Sequence, residues 1–155
     1  MTKTILLLSV IALFISIGCH KDAVPVDTRP QSVIDDSLIQ NYLVKQKLTA
    51  TKHSSGLYYI IKTEGSGTNP TINNTVSVNY QGYFLNGSKF DGTTSSPISF
   101  PLRSLIKGWQ IGIPLIKKGG DIKLLLPSEL AYGPTGSGSI GPNQVLIFDI
   151  QLVSF

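Results

Sequence analysis

Chemistry-bearing side chains are scarce in this chain. A single cysteine, Cys19, stands among 155 residues, which excludes an intrachain disulfide and any multi-cysteine zinc or iron–sulfur site. The only histidines are His20 and His53. Both are read as lying outside the folded body, so a Ser-His-Asp or Cys-His arrangement has no base within it. There is no HExxH pair and no cluster of Asp and Glu at ligand spacing, so neither a metal nor a cofactor is expected. Charged residues make up 14% of the chain, against the ~25% usual for soluble domains. Residues 56–155 carry seven basic and five acidic side chains, scattered, which leaves no electrostatic footprint for nucleic acid. Gly65-x-Gly67 lacks the third glycine and following helix of a dinucleotide loop and reads as a turn. An enzyme without nucleophile, metal or cofactor must act by binding alone.

What is present begins with a leader. Lys3 supplies a positive start, and Ile5–Ile17 form an apolar and small run of 13 residues. That suits a signal peptide's core and falls short of the ~20 residues a membrane-spanning helix needs. The run ends at Ser16-Ile17-Gly18-Cys19, followed by polar His20-Lys21-Asp22. This junction resembles a bacterial lipoprotein leader, in which the cysteine thiol is lipidated and becomes the mature N-terminus. Ser16 stands where that motif usually has Leu. Ser16 and Gly18 are also small residues that an ordinary signal peptidase reads, so plain secretion is the alternative. The sequence divides accordingly into a signal peptide (1–18), a lipid-anchored tether (19–31), an N-terminal helix (32–48) and a main domain (56–155). The tether carries Pro25 and Pro30 among polar neighbours.

Ser32 followed by Asp35 predicts a helix N-cap box. Beyond it, Ile34, Leu38, Ile39, Tyr42 and Leu43 recur at helical spacing through about Leu48. One amphipathic helix is too short to be a domain; it either packs on the body, spaces it from a membrane, or pairs with a second copy. From Gly56 the pattern changes to period two. Leu57, Tyr59 and Ile61 alternate with Tyr58, Ile60 and Lys62. Val76, Val78, Tyr80 and Phe84 share a face in a segment ending at Asn86-Gly87, a type I′ hairpin signal. Ile122, Leu124 and Leu126 predict a further strand, and Leu146, Phe148, Ile150 and Leu152 a last one. Leu105, Ile106, Trp109 and Ile113 are spaced for one face of a short helix. The sum is an α+β plan, an antiparallel sheet closing over one short helix.

The remaining signal is aromatic, and it is organised into motifs. Val78-Asn79-Tyr80-Gln81-Gly82 runs on to Gly87-Ser88-Lys89-Phe90-Asp91. Ile106-Lys107-Gly108-Trp109, Pro127-Ser128-Glu129-Leu130-Ala131-Tyr132-Gly133, Ile140-Gly141-Pro142-Asn143 and Leu146-Ile147-Phe148-Asp149 follow. In order and spacing these closely resemble the FKBP-type peptidyl-prolyl cis-trans isomerases across residues 56–155. With the leader and helix, the chain resembles the lipid-anchored members of bacterial envelopes. The resemblance implies a half-barrel of five or six antiparallel strands wrapped around a short helix. It implies a proline pocket walled by Tyr80, Phe90 and Phe148 and floored by Trp109, with Ile98, Phe100 and Leu105 among the substrate contacts. Tyr132 would offer its hydroxyl to a substrate carbonyl, and Asp91 would sit at the rim, oriented by Tyr80. The Ile106 N–H and the Ile140 side chain would complete the peptide contact.

The implied activity is isomerisation of X-Pro bonds in exported proteins. The implied partners are proline-containing polypeptides, macrolide inhibitors and, through Cys19, the membrane. Ile98 departs from the aromatic that many relatives carry there. Pro134–Ser139 is a slightly short loop without the histidine of some members. Both bear on macrolide affinity and substrate preference. A non-catalytic proline-binding or chaperone module of the envelope is the competing reading, and a structural envelope lipoprotein a third.

Overall fold

The computed structural model describes residues 27–155; the leader, Cys19, His20 and most of the tether lie outside the described residues. The period-two segments form one antiparallel sheet. Its strands are β1 (Thr51–Lys52), β2 (Tyr58–Thr63), β3 (Thr75–Phe84), β4 (Lys89–Gly92), β5 (Ile98–Pro101), β6 (Asp121–Leu126) and β7 (Leu146–Ser154). They lie in the order β1-β2-β6-β7-β3-β4, with β5 also paired to β3. Two α-helices accompany them, α1 (Gln31–Gln46) and α2 (Lys107–Gly112). The α+β architecture is the one expected. The sheet has seven strands rather than five or six, because two short edge pieces, β1 and β5, join it.

Strand β3 sets the geometry of the molecule. It pairs with β7 from Val78↔Leu152 to Phe84↔Leu146. Its other edge is shared, β5 taking Thr75 to Val78 and β4 taking Gln81 to Tyr83. Tyr80 falls at the gap between those two partners. There the buried Thr93 closes the ladder: its N–H donates to the Tyr80 carbonyl at 3.0 Å, and its Oγ1 accepts the Tyr80 N–H at 3.1 Å.

The sheet is covered on both faces along much of β6 and β7 and at the start of β2. Its inner face packs Val76, Val78, Ile122, Leu124, Leu126, Phe148, Ile150 and Leu152 on Trp109 and Ile113. Its outer face packs Tyr58, Leu125 and Ile147 on Ile39 and Leu43 of α1. Two covers explain why Leu124-Leu125-Leu126 and Leu146-Ile147-Phe148 are buried without alternation. Helix α2 reaches the sheet because it presents no side chain at two places: a Cβ on Gly108 would overlap Leu126, and one on Gly112 would overlap Leu124.

Several local expectations are corrected. The N-cap of α1 is Pro30, with no side-chain cap bond, and Ser32 lies inside the first turn. Asp35 does not complete a capping box; it is fully buried and bonded elsewhere. The buried stripe is Asp35, Ile39 and Leu43, a four-residue spacing, so Leu38 is left 40% exposed. The helix ends at Gln46, where Lys47 turns left-handed (φ 53°) and Leu48 N–H reaches back to Leu43 O at 2.9 Å. The Asn86-Gly87 hairpin forms, but not with a type I′ turn, which needs positive φ at two successive residues. Only Gly87 has it (φ 87°), and Gly87 N–H and Phe84 N–H bond Phe84 O and Ser88 O. His53 belongs to the folded body, in the β1–β2 turn, where its N–H donates to Leu57 O.

Candidate functional site

Eight residues far apart in sequence surround one cavity of about 160 Å³. Tyr80 comes from β3, Asp91 from β4, Phe100 from β5 and Phe148 from β7. Leu105 and Ile106 precede α2, Trp109 lies within it, and Tyr132 follows β6. An apolar cavity of ~150 Å³ accommodates a benzene-sized ring, so a five-membered ring fits here.

The walls are held by edge-to-face aromatic contacts. Trp109 meets Tyr80 at a centroid distance of 5.0 Å, Phe148 at 5.3 Å and Phe100 at 6.4 Å, all near perpendicular. Trp109 is 4% exposed, and its Nε1–H has no acceptor among the described residues.

The polar groups are few and placed at the rim. The Tyr80 hydroxyl donates to Asp91 Oδ2 at 2.7 Å, and the other Asp91 oxygen accepts the Gly92 N–H at 2.8 Å. Burial, and then the neighbouring Asp91 carboxylate, hold the Tyr80 phenol well above its ordinary pKa. The Tyr132 phenol is raised by the same two causes in the same order. Both are hydroxyl donors at neutral pH. The Ile106 carbonyl starts α2 by accepting from Trp109 and Gln110, while its own N–H takes no partner among the described residues. Gln110 Nε2 donates to Leu105 O at 2.6 Å and fixes that segment. The cavity thus offers apolar enclosure for a ring, one free main-chain donor and one free hydroxyl. It offers no general base at a nucleophile.

Three residues named from the sequence do not line the cavity. Phe90 stands behind its wall, edge to face with Phe148 at 5.6 Å and against Phe84 at 5.0 Å. Ile98 opens β5 opposite Val78 and is 43% exposed. Ile140 is buried in the core beside the site. Conversely, sequence reasoning passed over Thr93, whose hydroxyl fixes the Tyr80 main chain, and the close-approach glycines of α2. A Thr in a Gly-Thr-Thr-Ser loop carries no local sign of burial. Glycines four apart in a short helix do carry one.

Fold and pocket together define a class: an antiparallel half-barrel that presents an aromatic, ring-sized cavity over a short helix. The chain belongs to the FKBP-type peptidyl-prolyl cis-trans isomerase family, whose family model matches residues 66–153. It is 42% identical over 117 residues to the peptidyl-prolyl cis-trans isomerase Mip of Coxiella burnetii, covering 69% of this chain and 51% of Mip. It is 46% identical over 102 residues to the FKBP-type peptidyl-prolyl cis-trans isomerase FkpA of Escherichia coli K12, covering 64% of this chain and 38% of FkpA. The crystal structure of Escherichia coli FkpA superposes with a TM-score of 0.71 at 38% identity, over 79% of this chain and 60% of that one. The chain spans about half the length, or less, of these curated relatives.

Proposed function

We propose that this chain is a peptidyl-prolyl cis-trans isomerase acting on exported polypeptides. The observation that carries the reading is the cavity itself, sized for a proline ring and walled by Tyr80, Phe100, Trp109 and Phe148. Rotation about a peptide bond faces a barrier of ~18–20 kcal/mol, and X-Pro bonds turn over in tens to hundreds of seconds. No bond breaks, so the catalyst needs only to favour the twisted amide over the planar one. The aromatic walls hold the ring and exclude the water that stabilises the polar, planar amide. Tyr132 donates its hydroxyl to a substrate carbonyl and the Ile106 N–H holds the chain beyond it, while the imide rotates. Asp91, fixed by the Tyr80 hydroxyl, faces the less polarised carbonyl of the twisted state. Phe90 acts from behind by bracing Phe148. Each ~1.4 kcal/mol of selective stabilisation gives tenfold in rate.

In the mature protein Cys19 carries the lipid anchor, and the tether to residue 31 holds the domain at the outer membrane of the cell envelope. The same cavity is where a macrolide inhibitor enters, with Ile98 and the short Pro134–Ser139 loop setting its affinity. The deciding experiment is a protease-coupled or direct-fluorescence assay of residues 20–155 on a Suc-Ala-Xaa-Pro-Phe peptide series. Acceleration with at least one Xaa is expected. A rate equal to background for every Xaa rejects catalysis in favour of a proline-binding module.

A further inference from the structure

Helix α1 reaches the pocket through one buried carboxylate. Asp35 and Ser128 are both fully buried and 93 residues apart in sequence. Asp35 Oδ2 accepts the Ser128 N–H at 2.8 Å and the Ser128 hydroxyl at 2.7 Å, while Gln31 Nε2 donates to Oδ1 at 2.7 Å. No basic side chain pairs with Asp35 among the described residues; three neutral donors hold it. A buried acid costs stability unless its hydrogen bonds are complete, and an apolar residue would seal the helix to the body equally well. The carboxylate contributes directional bonds that an apolar side chain lacks.

Ser128 opens the turn that delivers Tyr132 to the cavity. Its carbonyl accepts the N–H groups of Ala131 and Gly133, both at 2.9 Å. Tyr132 is thereby clamped on each side to the residue that Asp35 holds. We propose that Asp35 is a positioning residue for the isomerase reaction, fixing the Tyr132 hydroxyl over the cavity through Ser128, so that α1 completes the site. The inference rests on the isomerase reading and on Tyr132 as its donor.

The test is a double-mutant cycle in the chain of residues 20–155. Asp35→Ala lowers kcat/KM about tenfold when Tyr132 is present and less than about twofold in the Tyr132→Phe background, because the positioned hydroxyl is then already gone. Asp35→Asn, which keeps an oxygen facing Ser128, recovers most of the loss. Equal losses in the two backgrounds overturn the proposal, since a merely structural helix contact weakens both alike. Amide hydrogen exchange reads the same coupling without turnover. In Asp35→Ala the Ala131 and Gly133 amides exchange at least about tenfold faster while the Leu124 to Leu126 amides are unchanged. If Asp35→Ala does not fold, Ser128→Ala, which removes only the hydroxyl bond, takes its place in both measurements with smaller effects of the same pattern. Unchanged exchange at Ala131 and Gly133 also overturns the proposal. A parent chain without activity sinks the isomerase reading itself, whereas an active parent with indifferent Asp35 variants sinks only this inference.

Discussion

Gly82 is the point at which a single carbon atom tests the pocket wall. It lies buried in the middle of β3, opposite Phe148 on β7 and Asp91 on β4. A Cβ built there sits 2.7 Å from Phe90 Cζ, 2.8 Å from Phe90 Cε2 and 3.1 Å from Phe148 Cε1. Van der Waals contact begins near ~3.5 Å between carbons, so both rings must move. Phe90 is only part-buried and can swing outward, but Phe148 is 3% exposed and packed on Trp109. Overpacking of this kind costs about 1–3 kcal/mol. For a domain of this size that lowers Tm by about 4–10 °C. Displacing Phe148 by a few tenths of an ångström also spoils the fit to a proline ring, and kcat/KM falls about tenfold. The assays are a thermal melt and peptide isomerisation on Gly82→Ala, repeated in a Phe90→Leu background that removes the ring atoms nearest the new methyl. The second substitution makes the first cheaper by about 1 kcal/mol or more. Parent-like melting and turnover in Gly82→Ala, or an equal cost in both backgrounds, refutes the reasoning.

Three further outcomes are expected. Asp91→Ala lowers kcat/KM about tenfold or more with little change in Tm, because Asp91 lies at the rim and not in the core. The Tyr80 phenol then titrates lower in ultraviolet absorbance, though still above its ordinary value, since burial is the larger cause of its shift; an unmoved titration contradicts the pairing. Asp149 lies between Lys62 at 2.7 Å and Lys123 at 2.8 Å. Burial raises its pKa, but the two lysines outweigh this and leave it below the ordinary value. A lowered folded pKa stabilises above the unfolded value of ~3.9 and is lost as pH falls through the folded one. Asp149→Asn therefore costs about 1 kcal/mol at neutral pH and nothing in strong acid; a cost independent of pH argues against the ion pairs. Lipid labelling in cells enters the parent and not Cys19→Ala, and label in both excludes the anchor.

Much of the site was legible because its residues sit in short motifs whose positions strand register then fixes. Tyr80, Asp91 and Phe148 meet through the pairing of β3 with β4 and β7; alternation shows only which face each strand buries, and it is the family resemblance that groups the three. Phe90 is placed in the wall by the family resemblance, which carries the Phe90-Asp91 motif over as a unit. Phe90 is instead the extra residue at the register shift where Gly82 pairs with Asp91 and Tyr83 with Lys89, and it packs on Phe84 and Phe148 beyond the cavity. Asp35 was misread for a different reason. An acid three residues after a serine satisfies a local capping rule, and nothing nearby announces a partner at Ser128 in another part of the fold. The turn after Phe84 failed on backbone dihedrals, which Asn-Gly favours without compelling. Strands β1 and β5 escaped notice because two and four residues at an edge carry too little periodicity to register.

The place of β7 bears on when this molecule can exist at all. It is the last strand of the described chain, yet it lies inside the sheet, between β6 and β3. Until Leu146–Ser154 arrives, β1, β2 and β6 form one fragment and β3, β4 and β5 another, with no ladder joining them. Phe148 is missing from the aromatic box for the same interval. Closure at so great a sequence separation is slow and comes late. The two halves of the sheet, and the aromatic cavity between them, therefore close only once Leu146–Ser154 has joined. Truncation within β7 removes the joint between both halves.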